Sequence, residues 1–331
     1  MDCKVSVCVI AYNHLQYIEQ CLEGILEQDV PFEYEILIHD DASTDGTRDV
    51  LKRYAEQYPD RVRLILQEQN QYSLGNKMLL LSELVPRARG EYIAVCEGDD
   101  YWTDSQKLLR QVKVLDENEE CVLCTHTSQI VNKDGDARGQ KCIPSFEVPA
   151  GTMDGEDYIR QVLERNSHFY QTSCMMFRRS TVEPDLCALP SFLTVSYPWD
   201  RAFFLYLATK GKVYYIRDAM SVYRIFSEGS WSASMVSSDE KRYHDSLGMI
   251  SMISEFDRYT NQMYHDGIEE YLKFYRFYAA MYELDGRTMK KPEYREMYGQ
   301  LSHGQKLYYT VCSHVPFVGR AYRSLKRALR G

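Results

Sequence analysis

Within the first hundred residues, short β-branched runs alternate with apolar residues at helical spacing, and few folds accommodate that rhythm. Residues 5–11 (VSVCVIA) form a continuous apolar run, as expected of a strand buried on both faces. Asn13 then offers an N-cap, with Gln16 three residues on, and Leu15, Ile18, Leu22, Ile25 and Leu26 follow at helical spacing. Residues 34–38 read as a second strand. Asp45 can cap a helix whose apolar face is Val50, Leu51, Tyr54 and Tyr58. A third strand over 62–66, a helix over 78–85 and a fourth strand over 91–96 continue the pattern. Strand–helix alternation predicts an α/β fold with a mostly parallel, Rossmann-like sheet flanked by helices. Ligands of such sheets gather at the carboxyl ends of the strands. HDDAST and CEGDD both lie just past such ends, so they are expected to share one edge above one crevice.

The second of these segments raises a question of charge. Glu97, Asp99 and Asp100 follow directly on the apolar run Ile93 to Cys96. Carboxylates held close together repel, and each resists desolvation. A lysine, a solvated turn or a metal ion could relieve them. Neither GxGxxG nor GxxxxGK[ST] occurs, so the chain lacks the usual phosphate cradles. A diphosphate bound here would need a divalent cation, which prefers carboxylate oxygen and bridges to phosphate. One acidic cluster is weak grounds, because solvated turns are acidic too; two at neighbouring strand ends are stronger.

Beyond Cys121 the rhythm loosens. CVLCTHT reads as a strand, QTSCMMFRRS as strand then turn, and YPWDRAFFLYLATKGKVYYI as helix, a stop at Gly211, and strand. From Asp239 the chain reads as helical, with Ile268, Tyr271, Leu272, Tyr275, Tyr278, Ala279 and Tyr282 on one packed face rather than a stacking platform for bases. The expected division is 1–235 as the main domain, 236–315 as a helical region and 316–331 as a basic tail. A net charge of −9 argues against nucleic acid as a partner. The charge is uneven: the first 300 residues carry −15 and the last 31 carry +6. On a helix, Val318, Tyr322, Leu325 and Leu329 of the tail would line one side and basic residues the rest. That pattern suits an interfacial helix on anionic lipid, although a solvated terminal helix accounts for it nearly as well. Ten cysteines without framework spacing fit reduced thiols, and the CxxC of Cys121 and Cys124 lacks the second pair a zinc site needs. Residues 1–4 carry no signal-peptide pattern, and no apolar stretch reaches the ~20 residues of a spanning helix. The expected location is cytoplasmic, peripheral on the inner face of the cell membrane through 316–331.

The blocks VSVCVIAYNHLQYIEQCLEGILEQ, EILIHDDASTDGT and GEYIAVCEGDDYWTD closely resemble the large bacterial family of inverting nucleotide-sugar glycosyltransferases with the A-type fold, glycosyltransferase family 2. TSCMMFRRS, YPWDRAFFLYLATKGKVYYI and VYRIFSEGSWS extend the resemblance to about residue 232 in the same order. The resemblance implies a role for each matching position. Asp41, with Asp40 beside it, matches the carboxylate that bonds the nucleotide base. Tyr12 and Asn13 match the first nucleotide loop. In EGDD, Glu97 faces the ribose, while Asp99 and Asp100 ligate Mn²⁺ or Mg²⁺. Asp200 matches the catalytic base, with Trp199 and QTSCMM on the acceptor side. Arg224 matches a diphosphate contact. One departure stands out: Phe226 occupies the place where a histidine usually stands after YR, so Arg224, His244 or another residue must substitute, or the cation binds more weakly.

The chemistry so implied is transfer from a nucleotide-sugar, UDP-linked, to a hydroxyl of a cell-surface or lipid-linked glycan. One carboxylate deprotonates the acceptor as it attacks the anomeric carbon, through an oxocarbenium-like transition state. A cation stabilises the departing nucleoside diphosphate. Asp200 at a helix start would otherwise be read as an N-cap, a common and sufficient explanation. A sugar nucleotidyltransferase would need a glycine-rich basic loop near the N-terminus, which VIAYNHLQYIEQ lacks. A non-catalytic glycan- or nucleotide-binding relative is the other alternative, suggested by Phe226.

Overall fold

The computed structural model describes residues 3–165, 171–195, 199–227 and 238–314. The chain forms two compact units, Met1–Ala233 and Ser234–Gly331.

The first unit is built on one mixed sheet. Its strands are β1 (Val5–Ala11), β2 (Tyr34–Asp40), β3 (Val62–Leu66), β4 (Tyr92–Glu97), β5 (Tyr101–Trp102), β6 (Cys121–Val131), β7 (Ala137–Ile143), β8 (Gly151–Met153), β9 (Met176–Arg178) and β10 (Lys212–Arg224). The order is β3-β2-β1-β4-β9-β6-β10-β5, with β7 on β6 and β8 on β10. The pairs β1–β2, β1–β4 and β2–β3 are parallel, as the alternation predicts. In register, Ala11 faces Asp40 and Ile10 faces Glu97, which brings the acidic ends of β2 and β4 to either side of β1. Beyond β4 the sheet changes character, because β9 pairs antiparallel with both β4 and β6.

Helices α1 (Ile18–Leu26), α2 (Thr47–Gln57) and α3 (Lys107–Glu117) bury Ile18, Cys21, Leu22, Ile25, Leu51, Tyr54, Leu108, Val112 and Leu115 in one core with β1, β2 and β4. Helices α4 (Gly155–Arg165) and α5 (Trp199–Ala208) belong to the second half of the unit.

Several boundaries differ from expectation for local reasons. Helix α1 starts at Ile18, because Asn13 sits in the left-handed region (φ 55°) and its side chain is engaged elsewhere. Asp45 does bind the start of α2, accepting from the Thr47 backbone N–H at 2.9 Å, but the flanking residue is Gly46 at φ 101°. Residues 78–85 hold a π-helical turn (Leu80–Leu84) running into a 3-10 turn with Pro86 (Val85–Arg87). QTSC folds as a 3-10 turn before β9, and a helical turn (Arg179–Val182) follows it. Cys121 and Cys124 lie buried on β6, and burial pushes the Cys124 thiol up to about 12, which suits a packed thiol and not a metal-binding thiolate.

In the second unit, α6 (Asp239–Tyr259) buries Met249, Met252, Ile253 and Phe256, and α7 (His265–Glu283) buries Ile268, Tyr271, Leu272 and Phe277. The tyrosine-rich stripe is a packed face: Tyr278 stacks obliquely on Phe274 at 4.4 Å, and Tyr275 sits 5.1 Å from Tyr271. His244 belongs to this unit. Among the described residues no helix is long and apolar enough to cross a membrane. The basic tail, 316–331, lies outside the described residues.

Candidate active site

The loops after β1 and β2 are stitched into one ledge. The backbone N–H of Asn13 donates to Ser43 Oγ (2.9 Å), and its side-chain oxygen accepts from the Thr44 N–H (2.8 Å). The next two N–H groups donate to Thr47 Oγ1 and Asp45 Oδ2. Asn13 therefore shapes the ledge, while the Tyr12 ring stands 43% exposed beside it and is open to stacking. The paired aspartates divide. Asp40 is fully buried and grips the Arg48 guanidinium at 2.7 and 2.9 Å, which ties β2 to α2. Asp41 turns the other way, accepting the backbone N–H groups of Gln71 (2.6 Å) and Tyr72 (3.0 Å) from the loop after β3.

At the end of β4 the EGDD turn is held by donors from two later segments, residues 171–173 and 224–227. Asp100 is 1% exposed and accepts from the Arg224 backbone N–H (2.9 Å), Gln171 Nε2 (2.5 Å) and Ser173 Oγ (2.7 Å). Ser173 Oγ also accepts the N–H of Glu97 at 3.0 Å. Asp99 is half-buried; its Oδ2 accepts from Ser227 Oγ at 2.5 Å. Among the described residues, nothing donates to its Oδ1 or to the carboxylate of Glu97. The Arg224 guanidinium is engaged within the protein: it donates to Asp99 O, Gln20 Oε1 and Lys133 O, and packs over Tyr17 and Tyr101. It braces the turn.

Asp200 lies in the first turn of α5, where its Oδ1 accepts the Arg201 N–H at 2.8 Å. Burial raises its carboxyl, against the pull of neighbouring Arg201. Electrostatics tie it to the turn. Glu97 is pushed well up by burial and then by Asp99, Asp100 and Asp200. The Tyr223 hydroxyl is raised by burial and then by Asp100, Asp200, Asp99 and Glu97. Four carboxylates thus lie near enough to act on one another, Glu97, Asp99 and Asp100 at the end of β4 and Asp200 on α5. Trp199, beside Asp200, leans on Phe203 at 6.2 Å.

The donor set fits a divalent cation. Among the described residues no lysine or arginine side chain bonds the carboxylates of Glu97, Asp99 or Asp100, and the donors to Asp99 and Asp100 are neutral groups. Among the described residues no group of three or more His, Cys, Asp or Glu side chains is placed to hold a metal ion. An ion held by one or two carboxylates, with substrate phosphate and water completing its shell, needs no such group.

Ser227 and Gln20 escape sequence reasoning, and Gln171 and Ser173, expected only as part of QTSCMM on the acceptor side, prove to be donors to Asp100. Polar, uncharged donors carry no motif of their own, and each lies far in sequence from the aspartate or arginine it serves.

Against known proteins, the family model "Glycosyl transferase family 2" matches residues 6–184. The uncharacterised protein Rv1520 of Mycobacterium tuberculosis is 32% identical over 244 residues, covering 74% of this chain and 64% of that protein. The chain therefore spans less than two thirds of that relative. Among solved structures, residues 1–349 of S. aureus TarS with UDP-GlcNAc superpose with a TM-score of 0.59 at 19% identity, covering 89% of this chain and 78% of that one. The mannosyltransferase PcManGT of Pyrobaculum calidifontis, with GDP-Man and Mn²⁺, gives 0.56 at 18% identity, covering 96% and 88%. At such identities the likeness is one of fold.

Proposed function

Because the chain belongs to glycosyl transferase family 2, we propose that it moves a sugar from a UDP-linked donor to a hydroxyl of a cell-surface glycan, free or lipid-linked, with inversion at the anomeric carbon. The mutual influence of Glu97, Asp99, Asp100 and Asp200, together with the hydrogen bonds that hold the EGDD turn, supports this reading. Tyr12 and Asp41 flank the base, and Glu97 faces the ribose. Asp99 holds Mn²⁺ or Mg²⁺ with Asp100 behind it. When bound, the cation neutralises the departing diphosphate. The nucleotide-sugars seen in TarS and PcManGT, and the Mn²⁺ in the latter, support a nucleoside-diphosphate donor used with a divalent ion. Asp200 takes the proton of the acceptor hydroxyl as that oxygen attacks; its place in the first turn of α5 fixes it on a rigid element. The glycosyltransferase domain spans 1–235, and the tail at 316–331 holds the protein at the inner face of the membrane.

The test is Asp200→Asn in purified protein. Loss of a general base lowers kcat by about 10²–10⁴, while UDP-sugar affinity stays near that of the wild type. Loss of donor binding instead would return Asp200 to a helix-capping role. A second reading, a non-catalytic binding module, draws on Phe226, whose hydrocarbon ring supplies no ligand. Under that reading no cation elicits UDP release from any donor.

A further inference from the structure

The segment that ends β10 does more than close the sheet. Arg224 donates its backbone N–H to Asp100, the Ile225 N–H returns to Val131 O, and Phe226 then turns into the left-handed region at φ 62°. For a bulky residue that conformation is an outlier, costing about 1–3 kcal/mol, and such strain concentrates at functional positions. Its consequence is directional. The Phe226 ring points outward, 42% exposed, and Ser227 turns inward to complete burial. There its hydroxyl donates to Asp99 Oδ2 at 2.5 Å.

We propose that Ser227 is a positioning residue for cation capture: it pins Oδ2 of Asp99, so that Oδ1, to which no described residue donates, is the oxygen left to hold the cation. This rests on the function proposed above. A carboxylate with both oxygens loose would rotate, and would offer the ion a poorly ordered pair. Pinning one oxygen fixes the direction of the other, and outer hydrogen bonds of this kind are worth about 10–100-fold in metal affinity. The clamp uses no histidine, so it operates although the residue after YRI is phenylalanine.

The experiment titrates Mn²⁺ into purified full-length protein saturated with UDP, following free Mn²⁺ by electron paramagnetic resonance, so no turnover is needed. Ser227→Ala is expected to weaken Mn²⁺ about 10-fold or more, with its thermal transition preserved. Ser227→Thr keeps the hydroxyl and should restore most of the affinity. Asp99→Asn should lose Mn²⁺ altogether. If Asp99→Asn abolishes binding but Ser227→Ala matches wild type, the clamp is refuted and the active-site reading stands. If Asp99→Asn also binds Mn²⁺ normally, the cation site itself is misplaced and both fall.

Discussion

Asp200 and Glu97 are strained electrostatically, and that strain has two measurable consequences. Burial raises the Asp200 carboxyl above the ordinary aspartate range, so the base loses its proton-accepting form at a higher pH than a free aspartate. The rate of transfer should therefore fall on acidification with a midpoint above ~3.9. A pH–rate profile that stays flat down to ~4 would remove Asp200 from the proton transfer. Stability runs the opposite way. A carboxyl whose folded pKa is raised binds protons more tightly in the native state than in the unfolded one. Its stabilising contribution is complete below the unfolded pKa and is lost as pH rises through the folded value. At neutral pH the cluster therefore opposes folding. Glu97→Gln should raise Tm by about 2–4 °C per kcal/mol relieved, with the gain shrinking in acid, while transfer falls. A lower Tm at neutral pH would show that Glu97 is compensated after all. Saturating Mn²⁺ should produce a similar rise in the wild type, by binding only the native state.

Elements transmit these demands through close backbone contacts. A Cβ on Gly24 of α1 would sit 2.6 Å from the carbonyl oxygen of Trp102 in β5. Neither partner is a flexible side chain, so Gly24→Ala must push α1 off the strand that follows the EGDD turn. Overpacking of this kind costs about 1–3 kcal/mol, and urea denaturation should register it together with a loss of kcat. Unchanged stability would mean that α1 and β5 are free to separate. The helix-and-strand rhythm of residues 5–96 was legible where β1, β2 and β4 are buried on both faces and where α1 and α2 each bury one stripe. The antiparallel insertion of β9 between β4 and β6 was not, since three residues (Met176–Arg178) carry no periodicity of their own. Asp41, Asp99 and Asp200 were legible as acidic groups at strand or helix ends. What distinguishes Asp40 from Asp41 is the reach of Arg48, and what distinguishes Asp100 from Asp99 is Gln171 and Ser173; neither can be read locally. Lys107 makes the same point. It sits at the start of a helix, as a solvated lysine would, yet it is fully buried over the Trp102 ring at 3.8 Å and is depressed by burial to about 8.

At the scale of the molecule, charge is partitioned along the chain. The first 300 residues carry −15, so an anionic membrane repels the catalytic body. Arg320, Arg323, Lys326, Arg327 and Arg330 oppose this within the last twelve residues. Each basic group near such a surface contributes about 1 kcal/mol, so the attachment proposed for 316–331 draws on five of them and on the apolar Val318, Tyr322, Leu325 and Leu329. Because the attraction is screened while the apolar contribution is not, attachment should weaken with salt without vanishing. Co-sedimentation with phosphatidylserine vesicles tests this directly. The full chain should pellet at low salt and partly at high salt. A chain lacking 316–331 should stay in solution at both, with UDP-sugar affinity intact. If the shortened chain pellets equally well, attachment resides elsewhere and the role proposed for 316–331 falls.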